Sequence, residues 1–426
     1  MNHTNAKPEK RSWHSSPWFA SILLSFIAAL FYSDRTAFTT LFPLLRNDLG
    51  FSDMGLAAIN TFYLWSFALA SPLAGFLGDR LSRRRLILAS IFFWSVITMV
   101  SSVVTSSTQL LALRILLGLT ECLFVPNAVA LLGEYHPVRS RALAMGLFVS
   151  GINLGLVAGG TIAGGLGESY GWRSAILALG FTGLPVLGIS YALLKGKPYP
   201  TELKRLPGSH ASPIWSSLGE AMKIPSFWVL TLGGIFLNFG SWIFLNWLPL
   251  YFQETYRMGL AASGFSANAY TTLGAVLGMM VGGYLSDWVT KHGLHLRLLQ
   301  EVLWIGVCFP FPLFFVFSSR LYLIFLSIFA FTLFRSMGAA NATPLYCEVL
   351  ARNTWSSAFG FVNMVNSIAA GIGVVMAGYL KQYFGLNLIF AAVSGIMLMA
   401  VIVLFVGYVT YIKSDLERQG HVIQSV

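Results

Sequence analysis

Long apolar runs separated by short polar stretches fill almost the whole chain. Runs long enough to cross a bilayer as helices fall at about residues 17–45, 54–78, 85–106, 109–133, 142–167 and 173–194. They resume at about 226–252, 262–286, 297–318, 321–347, 355–380 and 385–412. The stretch 195–225, with Lys195, Lys197, Lys204, Arg205 and several prolines, is the longest interruption and divides the runs six and six. The pattern predicts an all-α integral membrane protein of twelve transmembrane helices in two six-helix bundles. Its parts are an N-terminal tail (1–16), a first bundle (17–194), a linker (195–225), a second bundle (226–412) and a C-terminal tail (413–426). Trp18, Tyr251, Trp288 and Tyr383 stand at run ends, where amphipathic rings favour the interface. Lys7, Lys10 and Arg11 precede the first run as they would in a signal peptide, but no small-residue cleavage site follows, so that run is read as retained.

Composition agrees with the pattern. The 426 residues are 56% hydrophobic and 10% charged, too little charge to cover a soluble protein of this size. A net charge of +11 raises the question of nucleic acid, but the basic residues form no single patch. They alternate instead between the two sides of the predicted membrane. With the N-terminus inside, inner segments hold nineteen Lys and Arg, outer loops hold five, and three lie within spans. That asymmetry predicts both termini and the 195–225 linker in the cytoplasm; the cytoplasmic membrane of a bacterium is the expected location.

The charges inside the spans narrow the chemistry. Of sixteen acids, Asp34 and Glu121 are the two that fall well inside a run as drawn, with Arg35, Arg114 and Arg335 as the bases. Charge in a bilayer core is costly and marks an ion, proton or substrate pathway more often than a structural pair. Arg114 and Glu121 lie seven residues apart, on one helix face but about 10 Å apart along the axis, too far for a tight ion pair with each other. Arg114 is near the outer end of its span and can snorkel outward. All seven histidines lie in loops or tails, and Cys122, Cys308 and Cys347 show neither metal-ligand spacing nor a secretory disulfide pattern. The glycines of Gly151–Gly167 follow helical spacing and lack the Gly-Lys-Ser/Thr ending of a nucleotide site, so they read as close helix packing. No nucleophile–base constellation, metal cluster or appended soluble domain appears, so neither an enzyme nor a cofactor is expected.

Two loops repeat a motif. Gly75-Phe-Leu-Gly-Asp79-Arg80-Leu-Ser-Arg83-Arg84-Arg85 follows the second span, and Gly283-Tyr-Leu-Ser-Asp287 follows the eighth. A repeated Gly-x-x-x-Asp at matching places in two halves signals internal duplication. Here the chain resembles the major facilitator superfamily over nearly its full length, with Ser82 where that family's loop usually has Gly. Further segments resemble, more narrowly, its anion:cation symporter family. They are Tyr32-Ser-Asp34-Arg35, Arg114-Ile-Leu-Leu-Gly118-Leu-Thr-Glu121 with Pro126-Asn127, Tyr170-Gly-Trp-Arg173, Trp247-Leu-Pro249-Leu-Tyr251, and Asn363 with Asn366.

The resemblance implies alternating access, with Gly75, Asp79, Arg80, Arg84 and Asp287 in conformational switching. It implies that Arg35 contacts an anionic substrate and that Asn363 does so too. The expected partners are a small organic anion, such as a sugar acid, and H⁺, together with membrane lipid. No nucleic acid is expected, and the protein is read as a monomer. Residue chemistry agrees: with no histidine or lysine in the spans, proton coupling falls to Asp34 and Glu121. Burial favours a neutral carboxyl and a nearby arginine an ionised one, so movement of either switches protonation. Arg335 and Arg114 are further anion-binding candidates, and Tyr63, Asn238 and Asn246 can hydrogen-bond a polyol, the two asparagines equally reading as helix-to-helix contacts. With both acids ionised the five central groups carry +1, and with both protonated +3, so anion and proton favour each other's binding. Spinster-like lysolipid carriers are similar around Asp34-Arg35, the Gly75–Arg85 loop and Arg114…Glu121. A lysolipid transporter is therefore the alternative reading, and a proton-driven exporter the third.

Overall fold

The computed structural model describes residues 17–136, 138–194, 214–351 and 354–418, and all regular structure among them is helical. The first half comprises α1 (Pro17–Thr40), α2 (Phe42–Leu49), α3 (Asp53–Arg80), α4 (Arg83–Ser101), α5 (Ser107–Glu121), α6 (Phe124–Tyr135) and α7 (Val138–Leu193). A short helix, α8 (Ile214–Met222), forms within the stretch expected as a polar linker and buries Leu218 and Ala221. The second half comprises α9 (Pro225–Tyr256), α10 (Leu260–Val289), α11 (Leu296–Cys308), α12 (Phe314–Phe317), α13 (Leu321–Ala339), α14 (Ala342–Val349), α15 (Trp355–Thr410) and α16 (Ile412–Arg418).

Local chemistry sets the breaks. Proline lacks an N–H and its ring crowds the carbonyl four residues back. Pro126 and Pro344 accordingly divide runs that hydropathy reads as single spans, ending α5 at Glu121 and α13 at Ala339. Ser52 and Ser106 cap α3 and α5, their hydroxyls accepting from the Gly55 and Gln109 amides at 3.1 and 3.3 Å. Conversely, α7 and α15 each fuse two predicted spans through one non-helical residue, Gly171 (φ 81°) and Gly385 (φ 70°). Both occupy the left-handed region that glycine adopts freely.

Nine helical stretches among the described residues are long and apolar enough to cross a membrane, two of them being the bent α7 and α15. Large apolar side chains such as Ile22, Leu69, Leu154 and Leu326 face outward, as an acyl-chain environment allows. Close packing of α1 on α7 depends on glycine. A Cβ on Gly151, Gly155 or Gly159 would strike the backbone oxygen of Ser25, Ala29 or Ser33 in turn.

The two halves carry the same ionic clip at one end. Arg83 pairs with Glu134, and Arg297 with Glu348, each pair 51 residues apart in sequence. We call this the basic end. At the opposite, far end the halves meet. Arg46 pairs with Glu254 at 3.1 Å and with Asp53, while Lys381 reaches Glu254 at 2.7 Å and Asp53 at 3.1 Å. Beneath this cluster Gln253 donates to the Thr40 carbonyl, Thr61 to that of Gly371 and Trp65 to that of Ile368, each at 3.1 Å. Gly160 and Gly264 approach so closely that a Cβ on either would meet the other's backbone. Phe42 packs against Trp247 at 6.0 Å between ring centroids. These contacts close the cleft between the halves at the far end.

Candidate functional site

Adjacent residues on α1 meet two-turn-spaced residues on α5. The Arg114 guanidinium donates to Asp34 at 2.5 Å, while Arg35 lies 4.0 Å from Glu121. The pairing is therefore crossed between helices: each helix contributes one acid and one base, and Arg114 and Glu121 do not pair with each other. From α3, the Tyr63 hydroxyl donates to Glu121 at 2.5 Å, and Asn60 accepts from Arg114 at 3.3 Å.

Aromatic faces complete the surroundings. Arg114 stands over Phe38 and Tyr63, at 4.2 and 4.9 Å from the ring centroids. Arg35 stands over Tyr32, Tyr63 and Phe67 at 4.2, 5.0 and 5.2 Å. Such contacts favour a desolvated cation. Exposure separates the four charges: the Arg35 side chain is 15% exposed, Glu121 and Arg114 1%, and Asp34 0%. Only Arg35 is open enough for a ligand to reach directly. One oxygen each of Asp34 (Oδ1) and Glu121 (Oε1) is buried without a hydrogen-bond partner among the described residues. Those atoms can take a proton without breaking the contacts made by their neighbours.

The other expected residues are dispersed. Arg114 does not snorkel; it is sealed between Asp34, Asn60 and two rings. Tyr63 is buried and engaged by Glu121, so its hydroxyl does not face the cleft freely. Arg335, half-buried on α13, has no acidic partner among the described residues and leaves its Nε unbonded. Asn363 is exposed on α15, while the Asn238 amide turns back to the Gly234 carbonyl at 2.9 Å. In the loop motif, the surroundings of Gly75 and the side chains of Asp79 and Arg80 lie outside the described positions. Arg84 donates to the Tyr191 carbonyl at 2.5 Å, and Asp287, 84% exposed, lies 3.4 Å from Arg297.

Sequence reasoning missed Glu301. It is 3% exposed on α11, and its Oε2 has no partner among the described residues. Counted with the other five, it makes the intramembrane set neutral when all acids are ionised, in place of the +1 expected above. The signal was present: Leu298, Val302, Ile305 and Cys308 outline a buried helix face that includes position 301.

Comparison with known proteins decides the family. Residues 24–299 match the Major Facilitator Superfamily profile. The chain belongs to that superfamily. It is a family of transporters, and the protein is an integral membrane transporter rather than an enzyme. It is 28% identical over 290 residues to the Probable L-galactonate transporter of Escherichia coli, covering 65% of this chain and 62% of that protein. It is 25% identical to the Probable sulfoacetate transporter SauU of Cupriavidus necator, over 94% of this chain and 95% of that one. Among solved structures, a bacterial homologue of the human lysosomal transporter Spinster, inward-facing and occupied, superposes with a TM-score of 0.77 at 19% identity. The match covers 93% of this chain and 98% of that chain, and at such identity the likeness is one of fold.

Proposed function

We propose that this superfamily member is a proton-coupled symporter of a small organic anion, a sugar acid or related carboxylate. The observation that carries the reading is the crossed pairing around one partly exposed guanidinium. Arg35 is loosely held by Glu121 and reachable from the cleft, whereas Arg114 is fully committed to Asp34. A substrate carboxylate takes Arg35 by bidentate hydrogen bonds, for which a planar guanidinium is suited. Glu121 thereby loses its countercharge and takes up a proton. Anion and proton then favour each other reciprocally, as symport requires. Asp34 and Arg114 form the second coupling pair, and Asn363 and Arg335 supply candidate contacts from the second bundle. Two protons with a monovalent anion would carry net positive charge, gaining about 2.3 kcal/mol per 100 mV when moved inward. The transported anions named for the bacterial relatives, L-galactonate and sulfoacetate, support this substrate class.

The same reading takes twelve spans, counting both arms of α7 and α15, in bundles 17–194 and 226–412. Both termini face the cytoplasm, and the protein works as a monomer in a bacterial cytoplasmic membrane. The basic end is then cytoplasmic and the conformation inward-open. The loop residues Gly75, Asp79, Arg80, Arg84 and Asp287 act in switching between states.

Reconstitution in liposomes tests this. With an inward-directed proton gradient, a panel of sugar acids and small carboxylates should include one whose uptake acidifies the lumen. Glu121→Gln and Asp34→Asn should each remove the gradient dependence. A response to lysolipids with silence to every carboxylate would move the assignment to a lipid carrier.

A further inference from the structure

The buried pair does not end at Asp34 and Arg114. Arg114 also donates to Asn60 at 3.3 Å, and Asn60 donates to the Asn246 side-chain oxygen at 2.6 Å. Asn60 belongs to α3 of the first bundle and Asn246 to α9 of the second. All four side chains are buried. The direction of the chain is set by chemistry: a guanidinium only donates, so Asn60 must turn its oxygen to Arg114 and its amino group to Asn246. Asn246 must then present its oxygen, and its own amino group is left buried without a partner among the described residues. One continuous hydrogen-bonded line thus runs from a carboxylate in one bundle to a helix of the other, across the closed part of the interface.

We propose that Asn60 and Asn246 are positioning residues that couple the protonation of Asp34 to closure of the far end. This rests on Asp34 being a proton-coupling group. When Asp34 is ionised it fixes Arg114, and Arg114 in turn fixes the polarity of Asn60, which is what Asn246 needs in order to bond. A proton on Asp34 removes the charge that holds Arg114, so the Asn60 oxygen loses its fixed donor and the bridge loses its orientation. Opening of the far end breaks the Asn60–Asn246 bond from the other side. By linkage, whatever the proton does to the bridge, breaking the bridge does to the proton. The charged and titratable groups around Asp34 are Arg114 and Glu121 from α5, Arg35 from its own helix and Tyr63 from α3. From α7, Glu168 and Arg173 lie at the far end, in contact with Leu260 and Asp48. On the Asn246 side, Lys381 stands over the neighbouring Trp247 ring at 5.8 Å.

The test uses the full chain in nanodiscs, with spin labels at Asn47→Cys and Thr255→Cys and with Cys347→Ser, both labelled positions being exposed at the far end. The closed fraction is read from distance distributions at pH 8 and pH 5.5. The labelled parent should shift between the two, and Asn246→Leu and Asn60→Leu should each cut that shift at least fivefold, with the double variant no different from either single one. Trp65→Phe removes another bond across the same interface, one without contact to Arg114. It should lower the closed fraction equally at both pH values. Should Asn246→Leu fail to fold, Asn246→Ala carries the same expectation. An Asn246 variant that behaves like Trp65→Phe overturns the coupling role alone. A labelled parent with no pH response overturns the Asp34 reading, and this inference with it.

Discussion

Arg114 is a residue whose removal separates stability from transport. Leaving Asp34 buried and unpaired should cost on the order of 3–5 kcal/mol, whereas removing both charges together costs far less. Arg114→Met should therefore lower the apparent melting temperature in detergent sharply, and Asp34→Asn with Arg114→Met should recover most of it without recovering transport. Tyr63→Phe makes the finer cut. It deletes one hydrogen bond to Glu121 while keeping the ring over which both arginines stand. One such bond to a charged group is worth about 1.5–3 kcal/mol. Uptake should fall at least tenfold, with a melting-temperature loss smaller than that of Arg114→Met; unchanged uptake would remove Tyr63 from the site. At this scale the sequence was legible for residue type and opaque for pairing. Asp34, Arg35, Arg114 and Glu121 stand out because charge is rare in apolar runs. Which base meets which acid depends on how α1 faces α5, and no spacing within either helix encodes that. Glu301 escaped because it lies near the start of its run, where an acid looks like a helix-end residue.

Helices reward the same scrutiny. Hydropathy located the runs, since a bilayer demands unbroken apolar length, but it could not see that Pro126 and Pro344 divide two of them or that Gly171 and Gly385 join others. Proline chemistry accounts for the first pair and left-handed backbone for the second. Glycines at Gly160 and Gly264 matter between helices of opposite bundles. Gly264→Val would put a side chain into the Gly160 backbone at the far end and leave each bundle internally unaltered. The variant should fold, and a thiol placed at Ala57→Cys, buried in the parent, should react with a membrane-impermeant maleimide at least tenfold faster. An unreactive thiol would mean that the closed interface tolerates the extra volume. At the end of α2, the Trp172 indole and the Arg173 guanidinium hold the Asp48 carboxyl below its usual range. A depressed folded value gives stability that is present above the unfolded value and lost as pH falls through the folded one. The melting-temperature loss in Asp48→Asn should thus be the same at pH 8 and pH 5, and shrink only below about pH 4. The contact of Asp48 with Trp172 and Arg173 thus persists in mild acid.

For the molecule as a whole, the far end is a four-member ring of alternating charge: Arg46, Asp53, Lys381 and Glu254. Each exposed contact alone is worth about 0.2–1 kcal/mol. Asp53→Asn should change the closed fraction only modestly. Asp53→Asn combined with Glu254→Gln removes both acids and leaves two cations facing each other across the interface. The double variant should open the far end well beyond the sum of the single changes, and high salt should blunt the difference. Labels at the far end read both effects. The ring was not legible in the sequence, because its members come from four separate places along the chain. The ring also has an immunological consequence. Arg46 and Asp53 belong to one bundle and Lys381 and Glu254 to the other, so their combined surface exists as a unit only while the two are together. An antibody fragment raised against that composite patch would recognise one conformation alone, and by binding it would hold the far end closed.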